Sequence, residues 1–315
     1  MRRRLDGSLA GVLVVLVVIG ALRWLDVTAY PLVMLQTAGP FVVMGLVLIA
    51  LAIALLRRWW LLVPAGIAAL VSLAMVLPAF FSSASPKATK ELTVMAANLS
   101  TGRADPDQLM DAVRARTVDV LVLEEVTPDA VEQLRAAGLD DYFPHDAGQT
   151  RPDSVDGTVV YSRLPLEEVS DAAEPGSASL EPDVRVKVNG AAVRLKAVHV
   201  VTPFGGEVGP WRDELRELAA WPDRLEGPLV MAGDFEADQG HPAFRAVADG
   251  LTDGHRAAGL GWVRTWPVVG QRLPPYVQLD HLLTRGLTVV EAGQVAIHGT
   301  DHAIVWASYA LTRGG

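Results

Sequence analysis

The sequence of 315 residues contains no cysteine and few aromatic residues, 6% of the chain. The absence of cysteine excludes disulfide bonds, thiol nucleophiles and metal sites built from cysteine. It leaves the cellular compartment open, because many exported proteins also lack cysteine.

Basic residues are scarce, with 27 Lys and Arg against 36 Asp and Glu. Six of the basic and two of the acidic residues lie in residues 1–86, so the remainder carries 21 basic and 34 acidic residues and a net charge of −13. Nucleic-acid surfaces normally cluster Lys and Arg. Nucleic acid is therefore the weaker candidate partner, whereas a phosphorylated small molecule remains a good one.

Half of the residues are hydrophobic and the mean hydropathy is +0.28. The excess lies near the N-terminus, in apolar segments at 8–25, 31–56 and 61–81. Each is near the ~20 residues that cross a bilayer. No clear cleavage site follows the first, so we expect an anchor and not a signal peptide. Pro31 and Pro40 shorten or kink the second.

The basic residues at the ends of these segments predict the orientation. Arg2–Arg4 and Arg57–Arg58 lie on the same side of the membrane if the chain crosses it three times. That side is expected to be the cytoplasm. Three spans place the C-terminal domain outside the cytoplasm and two spans place it inside; we favour three. We therefore divide the chain into a membrane segment (1–81), a linker (82–90) and a domain (91–315).

The domain alternates apolar strand patterns with amphipathic helix patterns. Several strands follow one another without room for a crossover helix, which favours mixed sheets in an α/β (α+β) fold. We predict strands at 91–99, 118–123, 157–162, 184–188, 193–200, 229–232 and 277–283, helices at 107–116, 128–137 and 211–225, and a final segment at 299–310.

An acidic turn follows the predicted strand Leu229–Ala232, in the stretch PLVMAGDFEAD. Carboxylates at the end of a strand suit a divalent cation or a reacting phosphate. Such turns are common, so the meaning depends on partners at other strand ends. The polar residues at the ends of the other predicted strands and segments are Asn98, Glu125, His199, Asp280, Asp301 and His302.

Seven short segments in this order resemble the endonuclease/exonuclease/phosphatase superfamily, which has the DNase I-like fold. They are MAANLS, VDVLVLEEV, GTVVYSRLPL, KAVHVVTP, VMAGDFEAD, VQLDHLL and GTDHAIVWA, and they span most of residues 91–310. The resemblance implies a four-layer α/β/β/α sandwich with two packed mixed sheets. It also implies Mg²⁺-dependent phosphoester hydrolysis, with Mn²⁺ or Ca²⁺ as alternative ions.

The resemblance also implies roles for single residues. Glu125, in LEE where the family has LQE, and Asp301 are implied to bind the metal. Asn98 is implied to lie near the metal and the phosphate, where it binds substrate.

The remaining implied roles concern the reaction. Asp234 is implied to position or activate the attacking water, and His302 to contact the scissile phosphate. Asp280 matches the acid that orients this histidine, and His199 matches a second catalytic histidine. For His199 the alternative is a hydrogen-bonded core residue, because it follows the apolar face of its strand.

One position departs from the family, since Glu236 occupies the place of an Asn that binds substrate. An amide can donate to a phosphate oxygen, whereas an ionised carboxylate cannot and repels it. Glu236 is therefore an extra metal ligand, is protonated or turns away, or the activity is altered or lost. Glu124 is interpreted as structural or solvated. Trp262 and Trp266 suit a substrate groove, a membrane interface or ordinary packing.

These observations favour a membrane-anchored, metal-dependent phosphohydrolase that acts outside the cytoplasm. Its layout resembles the membrane-anchored actinobacterial members of the VanJ type, which suggests a lipid-linked phosphate such as a prenyl pyrophosphate. Tethering favours a substrate in the same membrane because it raises the effective concentration. The alternatives are an extracellular metal-dependent nuclease and a catalytically weakened module that binds phosphate or lipid.

Overall fold

A computed structural model describes residues 2–152, 156–169, 181–206, 208–268 and 273–312. Its helices are α1 Arg2–Ala21, α2 Tyr30–Gln36, α3 Gly39–Leu55, α4 Trp59–Val76, α5 Pro106–Arg116, α6 Pro128–Ala136, α7 Leu139–Tyr142, α8 Val208–Ala220, α9 Pro242–Val247 and α10 Gly254–Ala257. Its strands are β1 Leu92–Asn98, β2 Val120–Glu124, β3 His145–Gln149, β4 Thr158–Ser162, β5 Leu166–Glu168, β6 Asp183–Val188, β7 Ala191–His199, β8 Leu229–Asp234, β9 Thr252–Asp253, β10 Asp280–Arg285, β11 Leu287–Val295 and β12 Ile304–Leu311.

Two helical segments, Arg3–Trp24 and Trp59–Phe80, are long and apolar enough to cross a membrane. The second predicted span, 31–56, is instead the pair α2 and α3, bent by 63°. Pro40 lies in the first turn of α3. A continuous helix would bring its ring against the carbonyl of Gln36, four residues earlier, so the helix breaks between them.

Helices α1, α3 and α4 form a small bundle with its own apolar core. Helix α3 runs antiparallel to α1, since Gly45 faces Leu16 while Gly20 faces Val42. At the far end of the bundle, Nε of Arg58 lies 2.7 Å from Oδ1 of Asp6 in an ion pair. The two basic clusters of the N-terminal segment therefore lie at the same end of the bundle.

Two six-stranded sheets pack face to face in the C-terminal domain. Their strand orders are β11-β12-β1-β2-β4-β3 and β5-β6-β7-β8-β10-β9. The neighbours β1–β2 and β7–β8 run parallel, while the other paired strands run antiparallel. Both sheets are therefore mixed, and the predicted mixed α/β fold with two mixed sheets is confirmed. Val, Leu and Ala side chains from the facing surfaces form the inner core.

Helices cover the outer face of each sheet. Helices α5 and α6 bury Leu109, Val113 and Leu134 against the first sheet, and α8 and α9 bury Leu215 and Phe244 against the second. The layers follow the order helix, sheet, sheet, helix. Asp105 and Thr127 each accept a backbone N–H at the start of α5 and α6 respectively, which fixes where these helices begin.

Several predicted boundaries move by a few residues. The predicted helix 211–225 ends at Ala220, because Pro222 lacks the N–H that a continuing helix needs. The predicted strand 277–283 begins at Asp280, and Val277 forms only an isolated bridge with Trp266. Strands β3, β5, β9 and β11 were not predicted.

The bundle packs directly onto the domain. Nε2 of His241 lies 3.1 Å from the carbonyl oxygen of Val33, and the N–H of Gly261 donates to Ala79. A Cβ at Gly240 would lie 2.1 Å from the carbonyl oxygen of Gln36, so this approach requires glycine. The N–H groups of 83 and 84, in the predicted linker, donate to one carbonyl of α10. The start of the linker is thus fixed to the domain.

Candidate active site

Three neighbouring strands of the second sheet bring catalytic candidates into register. Asp234, the last residue of β8, pairs with His199 on β7 and with Asp280 on β10. Because these residues are cross-strand neighbours, their side chains lie side by side at one edge of the sheet. All three are buried. The strand register therefore brings these three predicted strand-end residues together.

The first sheet contributes Asn98 and Glu125 to the same edge. Asn98 ends β1 and pairs with Glu124, while Glu125 follows β2 with a left-handed φ of 54°. Nδ2 of Asn98 lies 3.2 Å from Oε1 of Glu125 and 3.2 Å from Oδ2 of Asp234. Asn98 thereby connects the two sheets at the site. Non-glycine residues in this backbone region are strained and cluster at functional sites.

The turn before β12 delivers Asp301 and His302. Thr300 Oγ1 donates to the carbonyl of Asn98 at 2.8 Å and accepts the N–H of His302 at 3.0 Å. Ser100 Oγ donates to Oδ1 of Asp301 at 2.6 Å, and Nε1 of Trp266 donates to Oδ2 at 3.2 Å. Both oxygens of Asp301 are therefore held by neutral donors.

Hydrogen bonds also decide the charge on Asp301. Burial acts to raise the pKa of Asp301, but the hydrogen bond from Ser100, the charge of His302 and the hydrogen bond from Trp266 outweigh it and lower the pKa. Asp301 is thus ionised at neutral pH, as a metal ligand must be.

His302 faces two carboxylates. Its Nδ1 lies 3.0 and 3.2 Å from the two oxygens of Asp280, and 3.6 Å from Oδ2 of Asp234. Burial acts to lower the pKa of His302, but Asp280 and then Asp234 outweigh it and raise the pKa well above its ordinary value. With Nδ1–H donated to Asp280, Nε2–H of the imidazolium is left for a phosphate oxygen.

Asp234 is fully buried and held by two donors. The backbone N–H of Glu236 donates to its Oδ1 at 2.9 Å, and Asn98 donates to Oδ2. Burial raises the pKa of Asp234, and the charge of His302 opposes this rise. A carboxylate that is held in place with a raised pKa suits a general base.

Glu236 lies beside these charges with a left-handed φ of 48°. Burial, followed by the charge of Asp234, raises the pKa of Glu236 well above its ordinary value. Of the alternatives given by the sequence, the direction of this shift favours a protonated Glu236. In that form its hydroxyl can donate to a phosphate oxygen, as an amide does.

Two groups of residues offer ligands for a divalent cation. One oxygen or nitrogen from each of Asp234, Asp280 and His302 lies within 4.8 Å of the other two. Nδ1 of His302 already contacts Asp280 in this group. Glu125 and Asp301 offer ionisable oxygens that Asn98 and Ser100 connect by hydrogen bonds. Carboxylate and amide oxygens are the ligands that Mg²⁺ prefers. The second group, Glu125, Asp301 and the amide of Asn98, therefore fits the implied ion.

His199 lies at the site as well, since its Nε2 is 4.0 Å from Oε1 of Glu125. Its backbone N–H donates to Oε1 of Glu181 at 2.9 Å. The catalytic role of His199 stays a prediction, because this position is also compatible with a purely structural histidine.

Glu124 is a member of the site region that sequence reasoning did not identify. It is fully buried, so the solvated alternative is wrong, and neither carboxylate oxygen has a hydrogen-bond partner among the described residues. Burial, and then the charges of Asp280 and Asp234, raise the pKa of Glu124 well above its ordinary value. The available signal was its acidic side chain where the family motif has Gln.

The two tryptophans divide between two environments. Trp266 contacts Asp301 and packs against the ring of Tyr276 at 5.9 Å. Trp262 meets the ring of Phe41 edge to face at 5.2 Å, at the contact between α3 and the domain. Trp266 thus supports the site directly, which the sequence alone did not indicate, while Trp262 packs against the bundle.

Comparisons with known proteins agree with this geometry. The model of the endonuclease/exonuclease/phosphatase family matches residues 95–302, more than half of the chain. No curated protein matches the sequence.

Among solved structures, the fold is similar to TDP2 of D. rerio complexed with a single-strand DNA product, with 17% identity, 70% of this chain and 98% of that chain covered, and a TM-score of 0.55. It is also similar to an AP endonuclease from Archaeoglobus fulgidus, with 15% identity, 70% of this chain and 100% of that chain covered, and a TM-score of 0.56. An endonuclease/exonuclease/phosphatase from Beutenbergia cavernae is similar too, with 22% identity, 71% of this chain and 72% of that chain covered, and a TM-score of 0.51. At these identities the likeness shows the fold alone.

Proposed function

This chain belongs to the endonuclease/exonuclease/phosphatase family, and on that premise we propose that it is a membrane-anchored, Mg²⁺-dependent phosphohydrolase. Its substrate is the phosphoester or pyrophosphate of a membrane lipid, and its catalytic domain lies outside the cytoplasm. The observation that carries the proposal is the buried set of Asp234, Asp280 and His302 beside the oxygen donors Glu125, Asn98 and Asp301.

Each residue has a role in hydrolysis that its surroundings support. Asp234 accepts a proton from the attacking water, because it is a fixed carboxylate with a raised pKa. Nε2–H of His302 donates to a non-bridging phosphate oxygen, and Asp280 keeps the imidazole charged and oriented. The water oxygen bonds to phosphorus, and the bond from phosphorus to the leaving oxygen breaks.

Glu125, Asp301 and the amide oxygen of Asn98 would hold the cation. When bound, Mg²⁺ would supply positive charge that stabilises the oxygens of the transition state. Asn98 and Ser100 fix the orientation of the two carboxylates, so their hydrogen bonds preorganise this donor set.

The bundle of α1, α3 and α4 supports three crossings. The ion pair between Asp6 and Arg58 brings the two basic clusters to one end, and such clusters normally lie in the cytoplasm. At the opposite end of the bundle, α2 and the turn after α4 contact the domain through Val33, Gln36 and Ala79. A periplasm-type reporter enzyme fused after Gly315 tests this: an inactive fusion would argue for an even number of spans.

The activity test is phosphate release from a prenyl pyrophosphate by the full chain in detergent or nanodiscs. We expect turnover with Mg²⁺, none with EDTA, and losses of about 10²–10⁴-fold for Asp234→Asn and for His302→Gln. Asp141→Asn is the matched control, because Asp141 is an exposed aspartate remote from the site. Equal release with EDTA, or by the two site variants, would refute the proposal.

The same assay separates the alternatives. Nicking of DNA with Mg²⁺ or Ca²⁺, without release from lipid substrates, would identify a nuclease. Tight metal-dependent binding of the lipid without turnover would identify a binding module, in which Glu236 has replaced a catalytic amide.

A further inference from the structure

A cavity of about 590 Å³ lies between the helical bundle and the catalytic domain. It is bounded by the end of α1, the start of α3 and the end of α4, which all point toward the domain. Its volume is in the range of protein sites for small molecules.

The walls of the cavity differ in chemistry. The bundle contributes apolar side chains, among them Leu46, Ile67 and Val71. The domain contributes Asp238, Arg256 and Gln278. A ligand that satisfies both walls has a hydrocarbon part and a polar, charged part.

The charged part of that ligand is expected to be an anion. Arg23 and Arg256 both line the cavity, and neither guanidinium forms an ion pair with a carboxylate in the described parts of the chain. Nε of Arg23 is buried and donates no hydrogen bond there. The acid on the wall, Asp238, accepts the N–H of Gly240 and attracts Arg23, so the two arginines and this acid leave one net positive charge on the wall. A guanidinium with free donors recognises phosphate well.

Residues of the polar wall are connected to the active site through hydrogen bonds and ring contacts. Gln278 lines the cavity and donates to the carbonyl of Asp280 at 3.2 Å. Trp262, also on the wall, donates to the carbonyl of Tyr276, and the ring of Tyr276 packs against Trp266, which holds Asp301. The same loops therefore form the cavity wall and support the catalytic residues.

We infer that this cavity binds the hydrocarbon chain of the lipid substrate, with Arg23 and Arg256 facing its phosphate end. The inference rests on the proposed function and deepens it, because it makes the length of the chain a determinant of specificity. A substrate with a long chain fills the apolar part of the cavity, whereas a short soluble pyrophosphate leaves that part empty.

Two variants of the full chain test the cavity from its two sides. Ala68→Phe fills the apolar part, and Leu70→Phe is its control, since Leu70 lies on the same helix but faces outward. Arg256→Gln removes a charge on the domain side, and Arg224→Gln, an exposed position, is its control.

Kinetics compare a long-chain prenyl pyrophosphate with isopentenyl pyrophosphate, which has the same reacting group. We expect Ala68→Phe to lower kcat/KM for the long chain about tenfold and to leave the short substrate unchanged. Arg256→Gln should lower kcat/KM for both substrates, because both carry the phosphate that Arg256 faces. Equal losses on both substrates in Ala68→Phe, or no loss in Arg256→Gln, would overturn the inference. Because Arg256 lies in α10 of the domain, outside the helical bundle, its variant decides the outcome if Ala68→Phe does not fold.

Binding is measured without turnover, in EDTA, as quenching of tryptophan fluorescence by a brominated alkyl phosphate. Trp24 and Trp262 line the cavity, so quenching in the wild type and its loss in both variants are expected. Undiminished quenching in the variants would overturn the inference, as would equal binding of the brominated alcohol. If neither pyrophosphate is hydrolysed, the proposed function fails while this measurement still decides the role of the cavity.

Discussion

Nδ1 of His302 lies 3.0 Å from Oδ2 of Asp280, and both side chains are buried. The pairing matters because burial alone would favour a neutral imidazole. The carboxylate reverses this, so that His302 is charged at neutral pH and Nε2–H can donate to a phosphate oxygen. The adjacent Asp234 adds a second negative charge, which also raises the pKa of His302.

Replacement of Asp280 should therefore change the pH dependence as well as the rate. In Asp280→Asn the pKa of His302 falls, because its largest raising influence is lost. Activity that requires the imidazolium then declines at a lower pH, and kcat/KM at neutral pH falls about 10²–10⁴-fold. The measurement is the pH profile of kcat/KM, with Asp141→Asn as control. An unshifted alkaline limb would show that Asp280 does not maintain the charge of His302.

The strand-end residues of the site could be predicted from the sequence because each one lies at or beside one end of a recognisable apolar strand. Register then brings them together: Asp234 pairs with both His199 and Asp280. Several predicted strands follow one another without room for a crossover helix, so the mixed sheets were also predictable.

Other features depend on contacts that are remote in sequence. Trp266 and Asp301 are 35 residues apart, and no local pattern connects them. Strand β11 contains an irregularity between Val289 and Glu291, which interrupts the alternation that would identify it. The bend before α3 was expected near Pro40, whereas the close approach of Gln36 to Gly240 joins segments that are remote in sequence.

Glu236 offers a second prediction. Because burial and Asp234 raise its pKa, we expect a protonated carboxyl at neutral pH, for which Gln is a close substitute. Glu236→Gln should keep kcat/KM within about threefold, or ~0.7 kcal/mol of transition-state free energy. It should also keep activity at higher pH than the wild type, because Gln cannot acquire a negative charge beside the phosphate.

The measurement for Glu236 is the same pH profile on the prenyl pyrophosphate substrate, with Glu132→Gln as the exposed control. A loss of activity above tenfold at neutral pH would instead indicate that the wild-type carboxylate is ionised and binds the metal.

The carboxyl of Glu124, which has no hydrogen-bond partner among the described residues, leads to a prediction about stability. Its pKa is raised in the folded state, so the folded protein binds a proton more tightly than the unfolded chain. Stability from this group is present at low pH and is lost as the pH rises toward the folded pKa. Glu124→Gln removes this loss, so at alkaline pH the free energy of unfolding of the variant should exceed that of the wild type by about 1–3 kcal/mol.

Thermal unfolding of the protein in detergent at two pH values tests this. The difference in unfolding temperature between Glu124→Gln and the wild type should grow from pH 5 to about pH 9. Glu132→Gln should show no such trend. A variant that is less stable than the wild type at the higher pH would mean that the carboxylate has a favourable partner when it is ionised.

The pKa of Asp253 is shifted in the opposite direction from that of Glu124, so its contribution to stability depends on pH in the opposite sense. Its Oδ2 lies 2.9 Å from Nδ1 of His281, and its Oδ1 accepts the N–H groups of His255 and Arg256. Burial acts to raise the pKa of Asp253, but the hydrogen bond with His281, the charges of His281 and His255, and the bond from the Arg256 N–H outweigh it and lower the pKa to about 2. The ionised form therefore stabilises the fold above its unfolded pKa of ~3.8, by about 2 kcal/mol.

This contribution of Asp253 should disappear as the pH falls from about 4 to about 2. Asp253→Asn should be less stable than the wild type at neutral pH, and the gap should narrow across that acidic range. The comparison is the free energy of unfolding of the two proteins at each pH, with the exposed Asp249→Asn as control. Other carboxylates titrate in both proteins and cancel in the difference, so a gap that stays constant down to pH 2 would show that His281 does not hold Asp253 ionised.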